Sequence, residues 1–181
     1  LFVYLAALEA GMLPNDLIED TPLNIRGWRP QNYDRKYRGA VTLSDALAQS
    51  INTVAVRVSE YIGRKRVISL AERLGITSPL PSHPSVALGA GEVNLLELTA
   101  AYGVIANRGR TVWPHGIVEV RDRTGAVLYR RRGSGATRVV AARDAARITG
   151  MLAGVLADGT GRNARLARPA AGKTGTSQDF R

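Results

Sequence analysis

Two short polar motifs in this 181-residue chain have the residue types of a serine acyl-transfer site: Ser50-Ile51-Asn52 and, far downstream, Lys173-Thr174-Gly175-Thr176. Acyl transfer without histidine needs another proton shuttle. A lysine and a second serine can serve, because desolvation or a neighbouring charge lowers a lysine into a range useful for proton transfer. Ser50 falls in a predicted break between helices, where its hydroxyl can point into a cleft. Asn52, two residues on, faces the same way and offers an amide to hold a substrate carbonyl or orient a lysine. Lys173 on a strand edge adds a positive charge. Thr174 and Thr176 alternate along that strand, and their hydroxyls suit a substrate carboxylate. Gly175 keeps this wall thin, and the Thr176 N–H can act as one oxyanion-hole donor.

The other candidate chemistries fail on their residues. His83 and His115 both sit in loops beside proline, in Ser-His-Pro-Ser and Trp-Pro-His-Gly. A Ser-His-Asp triad would need one of them as base, and no Gly-x-Ser-x-Gly elbow supplies a nucleophile. Two histidines without cysteine or His-x-x-x-His spacing argue against zinc. Gly172-Lys173-Thr174 ends like a phosphate-binding loop, but Ala167 stands where the first glycine belongs, and Gly159-Thr160-Gly161 lacks the third glycine of a dinucleotide loop. No cofactor is expected.

The net charge of +10 raises nucleic-acid binding as a reading. Arginine supplies nearly all of it, 22 residues against 3 lysines, scattered through Arg26–Arg38, Arg121–Arg132 and Arg162–Arg168. No stretch interleaves basic and aromatic residues as a base-stacking surface requires. A solvated basic surface near an anionic envelope is the better reading, and the scarcity of lysine makes the place of Lys173 in a motif less accidental. Hydrophobic content of 45% with 22% charged residues describes a globular domain with a core. The absence of cysteine removes disulfides and thiolate chemistry.

Several predicted elements position the two motifs. Leu1–Leu8 is apolar from its first residue, has no N-cap, and is far shorter than the ~20 residues of a membrane span. It is expected to be a helix opened at its N-terminal side, in a chain that is a piece of a longer one. Residues 11–39, rich in Pro, Asn, Asp and Arg, predict an ordered surface loop. Thr42 caps a helix with Asp45 at N3. That helix breaks near Ser50, resumes, and stops at Gly63. Amphipathic helices follow over 65–74 and 92–107, the second burying Leu95, Leu96, Leu98, Ala101, Tyr102 and Ile105. A hairpin turns at Asp122-Arg123-Thr124-Gly125. A long helix spans about 142–156, and 170–175 predicts a glycine-rich strand open to close approach.

The chain resembles the transpeptidase domain of penicillin-binding proteins, most closely the bifunctional class A kind. Phe2–Gly11 looks like the helix after the family's Ser-x-x-Lys nucleophile motif. Val41–Ala55 is similar to the second-motif region. Gly91–Tyr102 and Gly159-Thr160-Gly161-Arg162 look like further landmarks, and Ala171–Ser177 is similar to the third motif. Ser-x-x-Lys itself does not occur: none of the nine serines has a lysine three residues on.

The resemblance implies the α/β (α+β) β-lactamase/transpeptidase-like fold, with a helical cluster holding Ser50 and an antiparallel sheet holding Lys173. It implies that 1–181 is a partial domain, with the nucleophile upstream of Leu1 and the final strands beyond Arg181. The isolated polypeptide is then expected to be inactive and poorly stable, with an open sheet edge.

The implied parent is a D,D-transpeptidase that cross-links peptidoglycan stem peptides ending in D-Ala-D-Ala and is acylated by β-lactams. By position, Ser50 would relay protons, Asn52 would position substrate and Lys173 would supply electrostatics. Thr174 and Thr176 would bind the carboxylate, with Gly175 between them. A glycosyltransferase domain, an N-terminal membrane anchor and a place on the periplasmic face of the cytoplasmic membrane are implied for the parent. Two alternatives stay open: a serine β-lactamase, for which Glu92 and Glu97 are available as deacylating carboxylates although their context looks helical and structural, and a non-catalytic penicillin-binding-like module.

Overall fold

Six consecutive residues of the first helix, Val3 to Leu8, are buried, so α1 (Phe2–Glu9) is apolar all round and runs through the centre of the molecule. The computed structural model describes residues 1–133, 136–164 and 166–176. Ser177 and Arg181, and Arg165 within the last basic run, lie outside the described residues. α1 packs against α3 (Asn52–Ile62), α4 (Arg64–Arg73) and α6 (Ala142–Ala157). α2 (Leu43–Ala48) and α5 (Leu95–Ala106) also pack against α6. Leu5, Leu8, Leu43, Leu47, Val54, Ile148 and Val155 fill the interior at 1% exposure or less. Each contributes roughly 1.5–3 kcal/mol on leaving water.

The remaining elements are two separate antiparallel pairs. β1 (Leu17–Asp20) pairs with β2 (Gly39–Thr42), and β3 (Glu119–Arg121) pairs with β4 (Val127–Arg130). Short 3-10 turns lie at Pro84–Leu88 and Arg162–Ala164. Small antiparallel sheets beside a helical cluster make the α+β class that the sequence implies.

Local signals account for most boundaries. Thr42 accepts from the Asp45 N–H at 3.0 Å and donates back to its carboxylate at 2.7 Å, the expected cap of α2. Gly63, at φ 92°, ends α3. The β3–β4 hairpin closes on the Asp122 carboxylate, which accepts from the Thr124 and Ala126 N–H groups.

Three expectations fail. The surface loop over 11–39 contains β1, whose four residues alternate too little in polarity to announce a strand. The helix expected from Glu92 starts at Leu95, because Asn94 takes the N-cap and accepts from the Glu97 N–H at 2.9 Å. Leu95 and Leu96 then lie in the exposed first turn, at 79% and 64% exposure, while Leu98 and Tyr102 are half-buried. Finally, 170–176 forms no strand, so no sheet holds Lys173 among the described residues. A strand needs a ladder partner, and among the described residues none pairs with this segment.

Candidate active site

Helix α2 ends in a six-residue backbone motif. The Ser50 N–H donates to the Leu47 carbonyl at 3.2 Å, and the Ile51 N–H donates to the Ala46 carbonyl at 2.9 Å. This double bond pattern is a Schellman turn, whose C′ residue must be left-handed. Glycine usually takes that place, but here it is Ser50, at φ 55°. A residue with a Cβ in this conformation costs about 1 kcal/mol, and such strain clusters at functional sites. Ile51 is buried and opens α3 directly after the turn. Backbone geometry therefore sets the direction in which Ser50 projects its Cβ.

Lys173 reaches that hydroxyl. Its Nζ donates to Ser50 Oγ at 2.8 Å and to the Thr174 carbonyl at 3.0 Å, with Thr174 Oγ1 at 3.3 Å. Partial burial lowers the Lys173 ammonium below the ordinary lysine range. Leu1, at the head of α1, lies within electrostatic reach of Lys173. The start of α1, the Ser50 turn and Lys173 thus converge on one spot. A lysine held against a serine hydroxyl, with its charge disfavoured by desolvation, can donate a hydrogen bond or carry a proton.

Asn52 is the first residue of α3, directly after the turn, but its Nδ2 donates to the Gln31 carbonyl at 2.9 Å, and its amide is not bonded to Lys173. Behind it lies a buried polar cluster that the sequence did not announce. Asp20, with no exposure, accepts from Asn32 Nδ2 at 2.8 Å, from the Arg38 N–H at 2.9 Å and from the Thr53 hydroxyl. Asn32 Oδ1 in turn accepts from the Thr53 N–H at 3.2 Å. This ties residues 31–38 to the first turn of α3. No local signal announces it, because the donors that a buried carboxylate demands come from 12 to 33 residues away in sequence.

The Lys173 side is built differently. Thr174 and Thr176 were expected to share one face of a strand. Instead, the Thr174 hydroxyl lies 2.6 Å from the Thr160 hydroxyl, while Gly175 and Thr176 are exposed. The other candidates stay apart from this cluster. His83 caps a 3-10 turn through Ser85 and stacks edge-on against Trp28 with ring centroids 5.5 Å apart. His115 Nδ1 lies 3.1 Å from the Trp113 carbonyl. Glu97 accepts from the hydroxyls of Thr77 and Ser78, which, in that order, pull its carboxyl down to about 2. It is a structural carboxylate, as expected. Glu92 is exposed and lies outside α5, contrary to the helical setting expected of it.

A family model described as the penicillin binding protein transpeptidase domain matches residues 1–181. Among curated relatives, penicillin-binding protein 1A of Rickettsia bellii is 36% identical over 98% of this chain, which covers 26% of the relative. Its counterpart from Aquifex aeolicus is 39% identical over 98% of this chain and 25% of the relative. The chain thus spans about a quarter of the length of these relatives. Among solved structures, penicillin-binding protein 1A from Haemophilus influenzae superposes with a TM-score of 0.90 at 25% identity, over 98% of this chain and 33% of that one. PonA1 from Mycobacterium tuberculosis, solved in complex with penicillin V, gives 0.86 at 25% identity, over 98% and 51%.

Proposed function

We propose, for a chain that belongs to the penicillin-binding protein transpeptidase family, that its parent protein is a D,D-transpeptidase of the class A kind and that these 181 residues are part of its transpeptidase domain. The observation that carries the reading is the 2.8 Å bond from Lys173 Nζ to Ser50 Oγ. It joins two motifs that are 123 residues apart and that make sense together only as a proton-handling pair.

In this reaction a serine outside the 181 residues loses its proton and attacks the carbonyl carbon of the penultimate D-alanine. The peptide bond to the terminal D-alanine breaks, and that residue leaves with a proton on its amine. An amine of a second stem peptide then attacks the serine ester, forms the cross-link and returns the proton to the serine. Ser50 carries the proton to the leaving amine, and Lys173 orients Ser50 and stabilises the developing charge. Asn52 positions the acyl-donor peptide. The Thr176 hydroxyl meets the terminal carboxylate across Gly175, beside Thr174, and the Thr176 N–H serves the oxyanion. β-Lactams acylate the same serine. The substrates lie outside the cytoplasmic membrane, so the domain works on its outer face, with a glycosyltransferase domain elsewhere in the parent.

Position supports this assignment: the head of α1 lies beside Lys173 and Ser50, where a nucleophile carried just ahead of that helix would face both. The β-lactamase reading loses its best carboxylate, because Glu97 is committed to Thr77 and Ser78. The test is covalent labelling of the full-length gene product by a fluorescent penicillin, followed by mass spectrometry of the adduct. The expected adduct is a stable ester on a serine upstream of Leu1. No labelling, or rapid turnover of a chromogenic cephalosporin, overturns the reading.

A further inference from the structure

Asp158-Gly159-Thr160-Gly161 fits neither phosphate-loop pattern, yet it touches both halves of the candidate site. Helix α2 leaves its last carbonyl, that of Ala48, without a partner from its own turn, since the Schellman bonds take Ala46 and Leu47. The Thr160 N–H donates to it at 3.0 Å, and the Thr160 hydroxyl lies 3.4 Å away. The approach is possible because position 159 is glycine: a Cβ there would stand 2.3 Å from the Ala48 oxygen. The neighbouring Gln49 Nε2 donates to the Asp158 carbonyl at 3.1 Å, so the contact has two points. From this anchored turn the Thr160 hydroxyl reaches Thr174 Oγ1 at 2.6 Å.

The proton directions follow from the donor inventory. An ammonium only donates, so Lys173 Nζ gives a hydrogen to Thr174 Oγ1. The arrangement that leaves every hydroxyl proton an acceptor runs from Thr174 to Thr160 and from Thr160 to the Ala48 carbonyl. The Thr174 hydroxyl is then committed to Lys173 and Thr160.

We propose that Thr160 is a positioning residue that couples the Ser50 turn to the Lys173 segment. It holds the Ala48 carbonyl, two residues before Ser50, and the Thr174 hydroxyl, one residue after Lys173. It thereby sets the separation of the Ser50–Lys173 pair and leaves the substrate carboxylate to Thr176. This inference rests on the transpeptidase reading above.

Thr160→Val and Thr160→Ser, made in the full-length protein, test it. Valine keeps the branched shape and the N–H bond to Ala48 but loses the hydroxyl, whereas serine keeps the hydroxyl. Acylation by a fluorescent penicillin is resolved into the initial binding constant and the acylation rate constant. Thr160→Val is expected to lower the rate constant about tenfold, as one lost hydrogen bond would, and to leave the binding constant unchanged. Thr160→Ser is expected to restore the rate to within about threefold, as the retained hydroxyl implies. A wild-type rate in Thr160→Val overturns the proposal and leaves the transpeptidase reading standing. Equal slowing in both variants, with a lowered melting temperature, makes the residue a packing element and also overturns it. Failure of the wild-type protein to label overturns the underlying reading and this proposal with it.

Discussion

The two walls of the candidate site reach the same spot by opposite means. The Ser50 wall is made by backbone: a Schellman turn, a left-handed serine, a buried start to α3, and the Asp20–Asn32–Thr53 cluster behind it. The Lys173 wall is an extended segment without a ladder partner among the described residues. Among the described residues it is held by side-chain bonds to Ser50 and Thr160 and by a backbone bond from the Gly172 N–H to the Leu152 carbonyl at 3.3 Å. Substitutions in the first wall should therefore register as stability, and substitutions in the second as chemistry.

The largest separation is expected at Lys173. Lys173→Ala should cut β-lactam acylation of the full-length protein by about 10³-fold, within the range of a lost proton-handling group, while its melting temperature stays within a degree or two. A large drop in melting temperature would show that the second wall is structural after all. Asp20→Ala should do the reverse. It strands the donors of Asn32, Arg38 and Thr53 in a buried site, at a cost of about 3 kcal/mol. Denaturant titration reads that loss, and acylation per folded molecule should change far less.

Ser50→Gly sharpens the contrast within one residue. Glycine relieves the left-handed strain and should raise stability by up to about 1 kcal/mol, while acylation falls with the lost hydroxyl. An unchanged or lowered stability would break the argument from strain. The smallest effect is the pH dependence at Lys173. Its folded-state pKa lies below the unfolded value of 10.5. Between the two, the unfolded chain binds more protons, so stability rises with pH across that window. The stability difference between the wild type and Lys173→Met should therefore shift in favour of the wild type as pH climbs towards 10.5. A flat difference would place the Lys173 charge in free solvent.

What the sequence made legible was local. The Thr42 cap, the break at Ser50, the stop at Gly63 and the hairpin turn at Asp122–Gly125 each depend on a few adjacent residues with defined backbone or capping preferences. The pairing of Ser50 with Lys173 was legible as chemistry, since the residue types suit each other whatever the fold between them. Three features were not legible, for one shared reason. The partners of Asp20 and of Ala48, and whether residues 170–175 find a ladder, are all settled by residues distant in sequence. Leu95 and Leu96 misled because a periodic apolar pattern does not say which turn of a helix projects beyond its neighbours. Thr160 was visible as a landmark, but its use depends on a contact more than a hundred residues away.

The span between the walls also orders events in time. The Lys173–Ser50 bond closes a loop of 123 residues, and the Gln49–Asp158 bond one of 109. Closing a chain of that length costs ~4 kcal/mol in loop entropy, so these contacts form only after the helices between them have condensed. On the ribosome, at ~5–20 residues per second, the Ser50 turn is made ~6–25 seconds before Lys173 exists to meet it. The Ser50–Lys173 pair is therefore among the last contacts of these 181 residues to form, and until Lys173 emerges the Ser50 hydroxyl waits without it.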